Sequence, residues 1–189
     1  MKKLRTSLLA LTVIASLASC SDDDKPTIVN EEEVITTVTA TLTPENGSTP
    51  IVLTSRDLDG DGPDAPIVTA SAPFAAGVTY NGTVTFLNEL ASPAENITAE
   101  IFEESDEHQL FFQQTGGPLG TFTYADADVN GHPIGLSFIY KAAESAATGT
   151  LTITLIHEPN KSGINVPAGD ITNAGGSTDA EVTFPVTIQ

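Results

Sequence analysis

Cysteine, tryptophan and basic residues are scarce in this chain. Its 189 residues include one Cys, no Trp, one Met and only seven Lys and Arg. A lone cysteine excludes a disulfide within the chain. The seven bases face 25 acids, a net charge of −18 at pH 7. Three of the bases, Lys2, Lys3 and Arg5, stand at the very N-terminus; beyond residue 19 only Lys25, Arg56, Lys141 and Lys161 face the 25 acids, for a net charge of −21. That shortage excludes nucleic acid as a partner, because such binding rests on Lys and Arg neutralising phosphates. It excludes anionic lipid headgroups for the same reason. The surplus of carboxylates favours solubility and draws in cations. Catalytic signatures are missing as well. There is no Gly-x-Ser-x-Gly elbow and no Gly-rich phosphate loop, so no enzyme is expected.

What is present begins with an export segment. After the basic start, Ser7 to Leu17 is mostly apolar. That is shorter than the roughly 20 residues a spanning helix needs, and it suits a cleaved signal peptide. Ala18 and Ser19 followed by Cys20 resemble the lipobox of bacterial lipoproteins. The resemblance implies removal of residues 1–19 and acylation of Cys20. Each buried CH₂ of an acyl chain contributes about 0.8 kcal/mol, so two or three chains give a durable membrane anchor without a span. Ser21-Asp22-Asp23-Asp24 resembles the surface-export signal of flavobacterial lipoproteins. It implies a lipid-anchored outer-membrane protein at the cell surface rather than on the periplasmic face. Residues 20–30 then form an acidic tether and residues 31–189 one domain.

The domain reads as all-β. Thr and Val abound and Gly and Pro recur at short intervals, the pattern of an antiparallel sandwich. Nine strands are predicted, at about Val34–Thr43, Pro50–Arg56, Ala65–Ala70, Val78–Leu87, His108–Gln113, Leu119–Tyr124, Pro133–Tyr140, Gly149–His157 and Asp179–Ile188. Gly82 interrupts the fourth and suggests a bulge. Ser92-Pro93-Ala94-Glu95 has the form of a capping box and predicts a helix from Pro93 to about Ser105. Asn160 to Ser177 is a Gly/Asn-rich connection. Nine strands with one helix predict an immunoglobulin-like β-sandwich.

Four runs carry a further resemblance: Asn30-Glu31-Glu32-Glu33-Val34-Ile35-Thr36-Thr37-Val38, Asp57-Leu58-Asp59-Gly60-Asp61-Gly62, Pro133-Ile134-Gly135-Leu136 and His157-Glu158-Pro159-Asn160-Lys161. Together they are similar to a family of small flavobacterial lipoproteins of unsettled function, often labelled "type 1 periplasmic binding fold". The resemblance implies a periplasmic-type binding protein. The chain's own patterning, with a single helix, still predicts the β-sandwich.

Two constellations carry candidate chemistry. The first is the three histidines. If Tyr140 pairs with Gly149 in a hairpin, Phe138 meets Leu151, Leu136 meets Ile153 and Ile134 meets Leu155. The same register sets His132 opposite His157, with Cβ atoms about 4.5–5.5 Å apart. His108 shares the parity of Leu110 and Phe112 at the start of its own strand. Three imidazoles at one end of a sandwich would suit Zn²⁺ or Cu²⁺, with Glu158 as an accessory ligand. Glu107, Asp126 and Asp128 could supply further oxygens. The plain alternative makes the histidines polar residues at the edge of the core.

The second constellation is a pair of Asp loops. Asp57, Asp59, Asp61 and Gly62 match the opening of a calcium loop, and Asp126, Asp128, Asn130 and Gly131 match it too. Their twelfth positions are Val68 and Ser137, where an EF-hand needs Glu, so neither is an EF-hand. Weak Ca²⁺ binding at the first loop stands beside simple turn chemistry; for the second, turn chemistry is expected. The expected function is therefore a non-enzymatic, ligand-binding outer-membrane lipoprotein that captures divalent metal ions for an uptake system, with an outer-membrane transporter as partner. The alternative is a structural or adhesive surface domain with Ca²⁺-stabilised loops.

Overall fold

A computed structural model of the chain describes residues 33–60 and 62–189. The expected signal peptide, Cys20, the expected tether and Asp61 lie outside the described residues. Glu32–Gln189 form one compact unit.

All nine predicted strands occur. In order they are β1 (Thr37–Pro44), β2 (Ile51–Arg56), β3 (Ile67–Ala70), β4 (Thr79–Leu87), β5 (His108–Thr115), β6 (Gly120–Tyr124), β7 (Ser137–Ala142), β8 (Ala147–His157) and β9 (Ser177–Ile188), with one helix, α1 (Ile97–Glu103), between β4 and β5. They build two antiparallel sheets, one of order β3-β2-β1-β4-β7-β6 and one of order β5-β8-β9. Alternation of apolar and polar residues makes most of these strands. Along β4, Tyr80, Val84 and Phe86 are buried while Asn81, Thr83 and Thr85 are exposed. A period of two puts one set on the core and the other in water.

One core joins the sheets. Leu42, Phe86 and Phe138 of the larger sheet share a cluster with Leu110, Leu155 and Phe184 of the smaller one. Each such side chain contributes about 1.5–3 kcal/mol on full burial. Gly82 does not mark a bulge, because its register with β1 and β7 runs through unbroken. A Cβ there would come within 2.2 Å of the Phe138 ring. The missing side chain is what lets that ring pack across β4.

Two further expectations fail. The seventh and eighth strands do not form a hairpin. Tyr140 pairs with Tyr80 and Phe122, and Gly149 with Val186, so β7 and β8 belong to different sheets. Both strands face the same core, and matching apolar residue to apolar residue is satisfied equally well across two sheets as within one. The helix is also shorter than predicted. Asn88 and Glu95 exchange two backbone hydrogen bonds, which holds residues 88–95 as a closed loop. The Ser92–Pro93 peptide in that loop is cis, and Asn96 takes the cap position. Ile97 and Ile101 are buried on one helix face.

The connection after β8 turns into two short 3₁₀ segments, Val166–Ala168 and Ile171–Asn173. Val166 and Ala174 cover Phe111 and Ile156 in a second small core. This explains why four successive residues of β5, His108 to Phe111, are all buried. The smaller sheet is thus covered on both faces where His108 and His157 lie.

Candidate metal centre

β5 and β8 pair so that His108 lies directly opposite His157. Their ring centroids are 4.6 Å apart at 72°. The third contributor comes from β9. Its register with β8 slips between Leu155, opposite Ala180, and Ile156, opposite Thr178. Asp179 is the extra residue at that slip. A bulge of this kind re-aims a side chain, and here the Asp179 carboxylate joins the two rings. His108 Nε2, His157 Nδ1 and Asp179 Oδ2 meet at 3.6 and 3.7 Å. Glu33, just ahead of β1, brings Oε1 to 3.5 Å from His108 Nε2. Gly176, with φ of 75°, lets β9 begin this close. A Cβ on it would stand 2.2 Å from the His157 carbonyl oxygen.

These donors are out of water. The side chain of His108 is 0% exposed, that of Asp179 7% and that of Glu33 11%. His108 Nδ1 lies 3.1 Å from the Glu104 carbonyl oxygen. A carbonyl only accepts, so Nδ1 carries the proton and Nε2 turns a lone pair toward Glu33 and Asp179. This is how a metal-ligating histidine is oriented. Among the described residues neither His108 Nε2 nor Glu33 Oε2 finds a hydrogen-bond partner. Each buried atom left in that state costs about 1–3 kcal/mol.

Electrostatics agree with the geometry. Burial, then the charges of Asp179, Glu100 and Glu104, push Glu33 up to about 7. Burial holds the His108 imidazole below its ordinary value, against the opposing hydrogen bond to Glu104. Separations of 3.5–3.7 Å are longer than the N–H···O hydrogen bond of about 2.7–3.2 Å. Tetrahedral bonds of about 2.0–2.2 Å set neighbouring ligands about 3.3–3.6 Å apart. The buried group of His108, His157 and Asp179 could therefore hold a metal ion.

The other sequence-derived residues are distributed differently. His132 does not join His157. It lies in the loop before β7, with Nδ1 3.8 Å from Asp128 Oδ2 and Nε2 3.3 Å from Ser162 Oγ. It shares none of the metal-competent groups among the described residues. Its placement opposite His157 depended on the hairpin that β7 and β8 do not form. Glu158 and Glu107 group with His157 on its outer side. Asp57 Oδ1 accepts from the amides of Asp59 and Gly60, and Asp59 Oδ2 from that of Asp64. Asp61 lies outside the described residues. In the second loop, Asp126 accepts from the amides of Gly135 and Ser137 at 2.7 Å each. Both loops thus use their carboxylates to fold the chain.

A buried ion pair braces the site from behind. Lys161 Nζ donates to Asp128 Oδ2 at 3.0 Å and to the Ser105 carbonyl. Asp128 Oδ1 also accepts from the amides of Asn130 and His132. Burial opposes ionisation of Asp128, but the bonds from Lys161 and these amides outweigh it and hold the carboxyl below its usual range. The pair ties the approach to His108 to the loop that leaves His157.

Asp179 and Glu33 carried no distinctive signal in the sequence. Asp179 depends on a bulge, and Glu33 read only as part of an acidic run. The chain matches no known family model, no curated protein and no solved structure.

Proposed function

We propose that this protein is a lipid-anchored outer-membrane protein whose β domain binds a divalent transition-metal ion of the Zn²⁺ class. His108 Nε2, His157 Nδ1 and an Asp179 oxygen are the ligands, and the Glu33 carboxylate beside His108 adds negative charge at the edge of the site. Two neutral imidazoles and two carboxylates balance a doubly charged cation. Imidazole nitrogen with carboxylate oxygen suits Zn²⁺ and also Cu²⁺. The observation that carries the reading is His108 Nε2, a fully buried lone pair turned toward two carboxylates with no hydrogen-bond donor for it among the described residues. An ion at the centre would take up the lone pair of His108 Nε2.

The anchor is Cys20, and its export segment points to the outer membrane and the cell surface. In that place a strongly anionic domain with one buried cation site serves as a non-enzymatic accessory that captures metal for a neighbouring uptake system. We read the two sheets around one core as an immunoglobulin-like sandwich, a rigid frame on which three strand ends present the ligands.

Calorimetric titration of the untagged, chelator-stripped protein with Zn²⁺, Cu²⁺ and Ca²⁺ tests the proposal. Zn²⁺ and Cu²⁺ bind and Ca²⁺ does not compete; Asp179→Asn abolishes tight binding and His132→Ala leaves it intact. Equal Zn²⁺ affinity in wild type and Asp179→Asn would sink it.

A further inference from the structure

The outer side of His157 holds a second group of metal donors. His157 Nδ1 faces inward, 3.7 Å from Asp179 Oδ2, while Nε2 faces outward, 3.8 Å from Glu107 Oε2. Glu158 adds its carboxylate, and the donor atoms of Glu107, His157 and Glu158 lie within 4.8 Å of one another. The backbone fixes both glutamates. The Glu158 amide donates to the Glu107 carbonyl at 2.6 Å. Glu158 also sits at φ of 50°, a left-handed conformation unusual for a side-chain-bearing residue, which swings it back beside His157. The ring itself is buried, with 6% of its side chain exposed, whereas the Glu107 side chain is 52% exposed. One imidazole therefore spans from the buried centre to solvent.

We infer that Glu107, His157 Nε2 and Glu158 form a second divalent-cation site, bridged to the buried one through the His157 ring. This rests on His157 serving the inner ion through Nδ1. With both nitrogens metal-bound, the ring gives up its remaining N–H proton. That proton passes to solvent, and the imidazolate left behind donates one electron pair to each ion. Four carboxylates, Glu33, Asp179, Glu107 and Glu158, offset the charge of two ions held so close. The outer site keeps open positions for water or for the ligands of a delivering or receiving partner. It is thus the place where an ion enters or leaves the buried site.

The test is Zn²⁺ titration of the untagged full chain stripped of metal, read by calorimetry in two buffers of different ionisation enthalpy and by metal analysis. Wild type takes up a tight equivalent and then a weaker one, and the weaker one releases a proton to the buffer. Glu107→Gln with Glu158→Gln removes the weaker equivalent and leaves the tight one unchanged. Asp179→Asn removes the tight equivalent and spares the weaker one. A single equivalent that is indifferent to the two glutamine substitutions overturns the outer site and leaves the buried site standing. A weaker equivalent that survives the double substitution also overturns it, since the ion then binds elsewhere. No uptake at all overturns both sites.

Discussion

His108→Leu should have opposite effects on stability with and without metal. In the metal-free protein the substitution removes a buried Nε2 that has no hydrogen-bond partner among the described residues. Relief of that atom is worth about 1–3 kcal/mol, and loss of the hydrogen bond to Glu104 costs about 0.5–1.5 kcal/mol. The metal-free variant should therefore match wild type or exceed it by up to about 2.5 kcal/mol. Zn²⁺ at one hundred times the dissociation constant stabilises wild type by about 2.7 kcal/mol. At roughly 2–4 °C per kcal/mol for a domain of this size, that is a rise in Tm of about 5–11 °C. The variant should show none of it. Thermal unfolding with chelator and with Zn²⁺ reads both arms, and the order of the two proteins should invert. A variant about 3 kcal/mol less stable without metal would mean that His108 is an ordinary packed core residue. An equal Zn²⁺ shift in both proteins would mean that the ion binds elsewhere.

Three further outcomes follow from the same geometry. Lys161→Met strands the Asp128 carboxylate in the interior and should cost about 3–5 kcal/mol in urea unfolding, with much of the loss recovered when Asp128→Asn is added. Gly176→Ala forces a Cβ against the His157 carbonyl at a positive φ; it should destabilise by more than about 1 kcal/mol and weaken Zn²⁺ binding, both visible in one melting series with and without metal. The third concerns pH. Glu33 is raised to about 7 in the folded protein by burial and by Asp179, Glu100 and Glu104. Between its ordinary value and about 7 the folded state holds a proton that the unfolded state has lost. Its contribution to the stability of the metal-free protein is thus full at low pH and disappears as pH rises through about 7. Glu33→Gln should flatten that part of the curve in denaturant titrations from pH 4 to 8.

Most strands were legible because they repeat one apolar face with period two. Val182, Phe184, Val186 and Ile188 of β9 are an example, and all nine elements appeared near their expected places. Pairing was less legible. Ile134, Leu136, Phe138 and Tyr140 match Leu151, Ile153 and Leu155 in apolar character whether they lie side by side or across the core. That degeneracy put His132 opposite His157, whereas His108 takes that position. Parity had placed His108 and His157 on core-facing positions at strand ends, so half of the central group was within reach. Asp179 was not, because a bulge shifts the parity of β9 by one residue beyond Ala180. Glu33 was hidden for a different reason: three consecutive glutamates give no indication of which one turns inward.

The proposed function stands on a metal ion between His108, His157 and Asp179. Anomalous diffraction at the zinc edge from crystals of untagged protein grown with stoichiometric Zn²⁺ tests it most directly. A bound ion gives a peak about 2.0–2.1 Å from both His108 Nε2 and His157 Nδ1, with an Asp179 oxygen as the third protein ligand. A well-ordered His108 whose Nε2 meets only water or a carboxylate, with no peak between the rings, would contradict it.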